Sequence, residues 1–268
     1  MKLSGKRETN MPNFMPGTSN PNITHDRGAG PWATEFPTPE TVTFKAAFMQ
    51  FWPQAVVVIG DDAVKHMAHY LDCTGFNFRI DLAGMVKETP SAKKRYDDEL
   101  LHAQIYAEGL RLGRHQFTSA CAKSGYNQQN ENKNWYFAIG GYSVWSKGSV
   151  NVYMDRSNQK VFELEFEYWF ADRYNWDGGK SVTLFRGTPF AVTITDAFMG
   201  RMHRQGIARE FDCWGSIRQS YVWAKPVAVQ PGIPAQPPGR GIEPRLPARN
   251  YPPAATPTRS YIPNPPGR

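Results

Sequence analysis

Nine residues in succession, Asp172, Arg173, Tyr174, Asn175, Trp176, Asp177, Gly178, Gly179 and Lys180, hold the densest set of reactive groups in the chain. Two carboxylates and a phenol within six positions can bind a hard cation or serve as acid and base, so Asp172, Tyr174 and Asp177 are catalytic candidates, and Asp172 and Asp177 are metal-ligand candidates. The paired glycines permit close backbone approach to a ligand, and Asn175 and Lys180 are candidate substrate contacts, the lysine toward a phosphate. The same composition also describes a glycine turn in which the carboxylates satisfy backbone amides and the rings simply pack.

A second constellation lies in TDAFMGRMHRQGIAREFD, residues 195–212. On a helix Asp196, Gly200 and His203 fall at i, i+4 and i+7, one face with an open glycine between a carboxylate and an imidazole. Arg201, Arg204 and Arg209 add cations. Guanidinium beside imidazole suits a phosphate, with Arg201 as a substrate contact and His203 and Arg204 as catalytic candidates. A capped amphipathic helix with a solvated basic face fits the same residues. A third set, Asp62, His66 and His69, has helical spacing for metal ligands but lacks the paired histidines and intervening glutamate of a zinc helix. Cys121 near His115 and Cys213 near His203 have no setting that lowers a thiol pKa, and buried cysteine is the simpler reading. No phosphate-binding glycine loop, nucleophile elbow or dinucleotide fingerprint occurs.

The elements that must position these groups are legible in part. Phe162, Leu164, Phe166, Tyr168 and Phe170 alternate with Glu163, Glu165 and Glu167, the pattern of a half-buried strand that delivers the 172–180 segment at its end. The polar stretch 155–160 predicts a hairpin over 149–170. Further strands are expected at 115–119, 135–139, 182–184, 190–194 and 215–223. Helices are expected at 62–71 and 90–107, the latter with Thr89 as N-cap and Pro90 in its first turn, and from Thr195 or Asp196 to Gly206. Phe44, Ala47, Phe48 and Phe51 have helical spacing before Pro53, and an apolar run follows at 55–59; helix or strand pair both fit. The fold class is therefore α+β: a helical part over 41–113, then a curved, mainly antiparallel sheet over 114–225 with one inserted helix.

Residues 1–40, rich in Asn, Pro, Gly and Thr, and 226–268, with 13 of the chain's 22 prolines, are expected to be disordered around a single domain at 41–225. The net charge is +7, and the stretch after Lys225 carries +4 of it. Cation density on a proline-rich tail rather than on a folded face argues against nucleic acid as the partner. Three scattered cysteines exclude a disulfide framework and suit a reducing compartment. No apolar run reaches the length of a membrane span, and Met1 to Asn20 has no apolar core of a signal peptide.

The stretch WYFAIGGYSVWSKGSVNVYM, followed by FELEFEYWFADRYNWDGG, resembles the colicin M family, in which a Phe-Ala-Leu-Gly strand leads through a hairpin to an Asp-x-Tyr-Asp-Phe segment. Asp172 and Tyr174 stand where the family's Asp and Tyr stand. Asn175 takes the place of its second Asp, and Ser181 and Val182 take the place of its His-Arg pair, so Asp177, His203 and Arg204 would have to fill those roles. The resemblance implies an antibacterial effector toxin that hydrolyses the pyrophosphate-linked peptidoglycan precursor lipid II with Mg²⁺. It would be made in a bacterial cytoplasm, exported without a signal peptide and active in the target periplasm, with an immunity protein as a possible partner. In that scheme His203 is general acid or base, Arg204 binds phosphate oxygens, Asp172 and Asp177 hold Mg²⁺, and Tyr174 orients the reacting group. Two other readings stand beside it: a secreted, non-enzymatic interaction protein whose aromatic sheet binds a partner, and an effector with a different target.

Overall fold

The computed structural model describes residues 13–25, 27–125, 131–176, 179, 181–184 and 192–226. In chain order these form β1 (Phe14–Pro16), α1 (Pro39–Gln50), α2 (Trp52–Ile59), α3 (Asp61–Leu71), β2 (Phe78–Arg79), α4 (Leu82–Glu88), α5 (Pro90–Glu108), β3 (Gly113–Ser119) and β4 (Ala122–Gly125). Then follow α6 (Lys133–Ala138), β5 (Gly141–Met154), β6 (Gln159–Tyr174), β7 (Ser181–Leu184), β8 (Val192–Thr195), α7 (Asp196–Arg204) and β9 (Phe211–Pro226). The class is α+β. An open sheet of seven strands runs β1-β3-β5-β6-β9-β2, with β4 also on β5; all pairs are antiparallel except β2 with β9. β7 and β8 make a separate antiparallel pair.

The alternating run occupies the centre of this sheet. Phe162, Leu164, Phe166, Tyr168 and Phe170 are all buried on one face, where Tyr96 of α5 meets the rings of Phe166 and Tyr168 edge-on. Glu163 and Glu165 on the other face are exposed. From Trp169 onward both faces are covered. Trp169 stacks between Trp145 and Trp214 at 5.8 and 6.1 Å, and Ile23 packs on this cluster. The strand's polar face is therefore polar only where nothing lies over it.

What lies over it is the N-terminal segment, which corrects the expectation of disorder across 1–40. β1 pairs with β3, Asn20 accepts from Lys147 Nζ at 3.0 Å, and Lys123 Nζ donates to the carbonyl of Thr24 at 2.6 Å. The strap has no apolar periodicity because its hold is mostly through backbone groups, which composition does not report. Its left-handed turns fall at Gly28 and Gly30, with φ of 58° and 93°. The proline-rich segment after 226 lies outside the described residues.

Residues 135–139 are a second correction, forming most of helix α6 rather than a strand. Asn132 caps this helix by accepting from Trp135 N–H at 3.1 Å, and Trp135 and Ala138, three apart, are its buried pair. Asn134 caps a different helix: its Oδ1 accepts from the N–H groups of Asp62 and Ala63 at the start of α3. The 55–59 run is helical. Two helices, α6 and α7, interrupt the strands where one was expected.

Candidate functional site

β6 ends against a cavity of ≈ 880 Å³ that collects residues from the N-terminal strap, five helices and five strands. Asp172 and Tyr174 continue the inward-facing parity of Phe170 and sit opposite Cys213 and Phe211 of β9. Asn175 and Trp176 follow them onto the wall. Asp196 arrives from α7 and His25 from the strap, while Lys123 and Ser143 come from β4 and β5. Apolar side chains line it as well, with Phe48, Ile59, Met67, Phe137, Ile139 and Ile194, and Thr24, Ser124, Arg173 and Ser181 add further polar groups. The cavity is thus lined by both kinds of group, carboxylates, an imidazole and an ammonium together with aliphatic and aromatic side chains.

Two local choices place the carboxylates. Arg173, of opposite parity, turns outward to pair with Asp212 at 3.1 Å, which fixes the register of the last turn of β6 on β9. Thr195 caps α7 by accepting from Phe198 N–H at 3.1 Å, so Asp196 occupies the first helical position, where the helix N-terminus favours an anion. Asp196 is only 9% exposed. Tyr174 is buried, stacked on Phe211 at 5.0 Å and edge-on to Trp176 at 5.5 Å. Burial pushes its phenol pKa up, helped by Cys213 and Asp196, so Tyr174 is a proton donor and not a phenolate base.

His203 and Arg204 do not join this cavity. His203 is 4% exposed; its Nδ1 accepts from the backbone N–H of Glu210 at 3.0 Å, so Nε2 carries the proton and donates to the carbonyl of Gly30, also at 3.0 Å. Burial pushes its pKa down, and both ring nitrogens are engaged by main chain. Arg204 pairs with Glu35 at 2.5 Å, and Arg201 with Glu40 at 2.6 Å. The catalytic roles expected of His203 and Arg204 are corrected accordingly: they are parts of a joint between α7 and the strap. The open glycine face is closed too, since a Cβ on Gly200 would stand 3.0 Å from both Ala29 Cβ and the carbonyl of Trp176. Asp177 and Lys180 lie outside the described residues.

Glu210 ties this joint together. It is 4% exposed, and its Oε1 accepts from Ala29 N–H at 2.8 Å and Trp176 N–H at 3.0 Å, linking the strap to the end of the β6 segment. Ala33 and Glu35 N–H groups cover the carbonyls of His203 and Arg204, two of the orphan acceptors at the end of α7. Nothing in the sequence flagged Glu210, because its partners are backbone groups 34 and 181 positions away. His25 was missed for a related reason, sitting in the segment taken to be unstructured.

The third constellation does not assemble a site. His66 Nδ1 donates to the carbonyl of Asp62 at 2.7 Å, His69 Nε2 bonds the carbonyl of Phe76, and Asp62 Oδ2 accepts from Asn134. Burial lowers the pKa of His66 to about 4, and its Nε2 is buried without a hydrogen-bond partner among the rings of Phe78, Tyr174 and Phe211. Among the described residues no cluster of three or more His, Cys, Asp or Glu gathers as a metal site. Cys213 is buried, and burial first, then Asp172 and Asp212, holds its thiol up. No family model, no curated protein and no solved structure matches the chain.

Proposed function

We propose that the cavity at the end of β6 is a hydrolytic site for an amphipathic phosphate ester, with the lipid-linked peptidoglycan precursor as its substrate and antibacterial action as its purpose. One observation carries the reading: Asp172, Asp196 and His25 line a single cavity together with apolar side chains. An isoprenoid tail suits Phe48, Ile59, Met67 and Ile194, and a phosphorylated head suits the polar lining residues, among which Lys123 supplies a positive charge.

In this scheme a water oxygen bonds to phosphorus while its proton passes to an Asp172 or Asp196 carboxylate. The ester P–O bond breaks, and protonated His25 gives its proton to the leaving oxygen. Tyr174, kept protonated by burial, donates and orients. His25 takes the acid role that sequence spacing assigned to His203. Asp172, Asp196 and the side-chain carbonyl of Asn175, all lining the cavity, are the oxygen donors that would hold Mg²⁺, and the ion would supply charge neutralisation at the phosphate. The effector role, an immunity partner and action in a target periplasm rest on the colicin M resemblance of the 135–179 stretch.

Purified lipid II with Mg²⁺ is the direct test, read as release of the pyrophosphorylated head. The wild-type chain should cleave it, and Asp172→Asn, Asp196→Asn and His25→Asn should each lose about 100-fold or more, the usual worth of a positioned acid or base. Binding without cleavage would favour the second reading, a non-enzymatic binder of the same amphipathic ligand, which gains from the engagement of both His203 nitrogens elsewhere. Neither binding nor cleavage would remove both.

A further inference from the structure

The helical pair α1–α2 leaves part of its apolar surface to solvent. Thr41 is fully buried and donates to Gln205 Oε1 at 2.6 Å, Lys45 Nζ donates to the carbonyl of Ile207 at 2.9 Å, and Glu40 pairs with Arg201. Glu40 and Lys45 are the only charged residues between 39 and 59. Phe44, Phe48, Trp52, Val56 and Val58 pack against the core, but Val57 is 84% exposed, Phe51 55%, and Val42 and Met49 nearly half. Across both helices only Thr41 and Ile59 are buried. A surface helix normally hides its apolar stripe and wets its polar one, so an uncharged, outward apolar surface marks an interaction site.

We infer that α1–α2 is a docking surface for a lipid bilayer. No single helix among the described residues is long and apolar enough to cross a membrane; α1 and α2 reach that length and composition only together and are bent by 82° relative to each other, a shape that suits lying along a bilayer surface. Composition favours lipid over a protein partner, because the two helices taken together are as apolar as a membrane segment. Beside α1 a groove of ≈ 610 Å³ is lined by Phe44 and Phe198 together with Glu40, Arg201 and Arg204; the two guanidinium groups pair with Glu40 and Glu35 but remain about one-third exposed next to apolar rings, where a lipid headgroup can reach them. The surface is also continuous with the candidate site: Phe48 of α1 and Ile59 of α2 form part of the cavity wall, so a lipid-linked ligand has an apolar path from bilayer to Asp172. That route rests on the hydrolase reading, whereas docking itself does not.

The test uses the full chain and vesicles of phosphatidylglycerol and phosphatidylethanolamine containing no precursor, read by co-sedimentation. Wild type should sediment with the vesicles, Val57→Asp and Phe51→Asp should lose roughly tenfold in partitioning, and Val222→Asp, an exposed apolar position on β9, should bind as wild type does. Because Val57 and Phe51 are exposed, both variants should keep the wild-type circular dichroism. Wild-type protein left in the supernatant, Val57→Asp sedimenting undiminished, or a dimer that Val57→Asp dissolves without vesicle binding would each overturn the proposal. Asp172→Asn should sediment normally whether or not it cleaves lipid II, which separates failure of docking from failure of the site.

Discussion

The end of β6 and the end of α7 carry similar chemistry and use it oppositely. Each offers a carboxylate, a histidine and a cation within a few ångströms of main chain: Asp172, His25 and Lys123 at one, Glu210, His203 and Arg204 at the other. At the β6 end these groups line a cavity. At the α7 end Glu210 accepts two backbone N–H bonds, His203 accepts from the Glu210 N–H and donates to the Gly30 carbonyl, and Arg204 closes on Glu35. Residue type does not separate a site from a joint; whether the groups line an open cavity or are closed in packing does.

The comparison breaks first at His203. Replacing it with Ala leaves Glu210 N–H and the Gly30 carbonyl unpaired in a buried place, and should cost about 3–4 kcal/mol in denaturant unfolding. His25→Ala, at the cavity, should cost far less stability and remove cleavage instead. A reversal of those two outcomes would exchange the roles assigned to the two regions.

Acidification probes buried imidazoles next. With a folded pKa of about 4, His66 binds its proton less readily in the fold than in the unfolded chain. The unfolded state therefore takes up the proton first, and stability present above about pH 6.5 is lost as pH falls toward 4, by up to roughly 3 kcal/mol. The lowered pKa of His203 acts with the same sign. His66→Leu should flatten the slope of unfolding free energy between pH 7 and 4; an unchanged slope would place the effect elsewhere.

Gly200→Ala sharpens the joint itself. The added methyl meets Ala29 and the Trp176 carbonyl, so the variant should lose about 1–3 kcal/mol by thermal or denaturant unfolding. The smallest effect belongs to Arg204→Ala: its pair with Glu35 is about one-third exposed on the arginine side, so stability should fall by no more than about 1 kcal/mol. Lipid II cleavage should hold within about threefold, because Arg204 is outside the cavity. A loss of 100-fold would return Arg204 to the chemistry that sequence spacing suggested.

How much of this was visible in one dimension differs by element. The strand through Phe162 and Phe170 was legible because a period of two is a local property, and helix α5 was legible from Thr89, Pro90 and its apolar stripe. Residues 135–139 misled, since Trp135, Phe137 and Ile139 alternate as a strand would while the Asn132 cap turns them into a helix. Among the residues that line the cavity, Asp172, Tyr174 and Asn175 stand out in the sequence by their position at a strand end, and Asp196 by its helical spacing with His203. His25 left no local signal.

By itself the sequence determined the central hairpin, the capped helices and the polar end of β6, all of which follow from spacing and caps within a few residues. Only the tertiary structure decided that Asp196 lines the same cavity as Asp172 while His203, seven residues on, faces Gly30. Adjacent turns of one helix point to different neighbours, and those neighbours come from the strap and from β6, whose approach depends on backbone hydrogen bonds between residues more than a hundred positions apart. The same holds for α1 and α2: their apolar composition was plain, but which of it packs inward and which, as at Phe51 and Val57, stays exposed is decided by the tertiary fold.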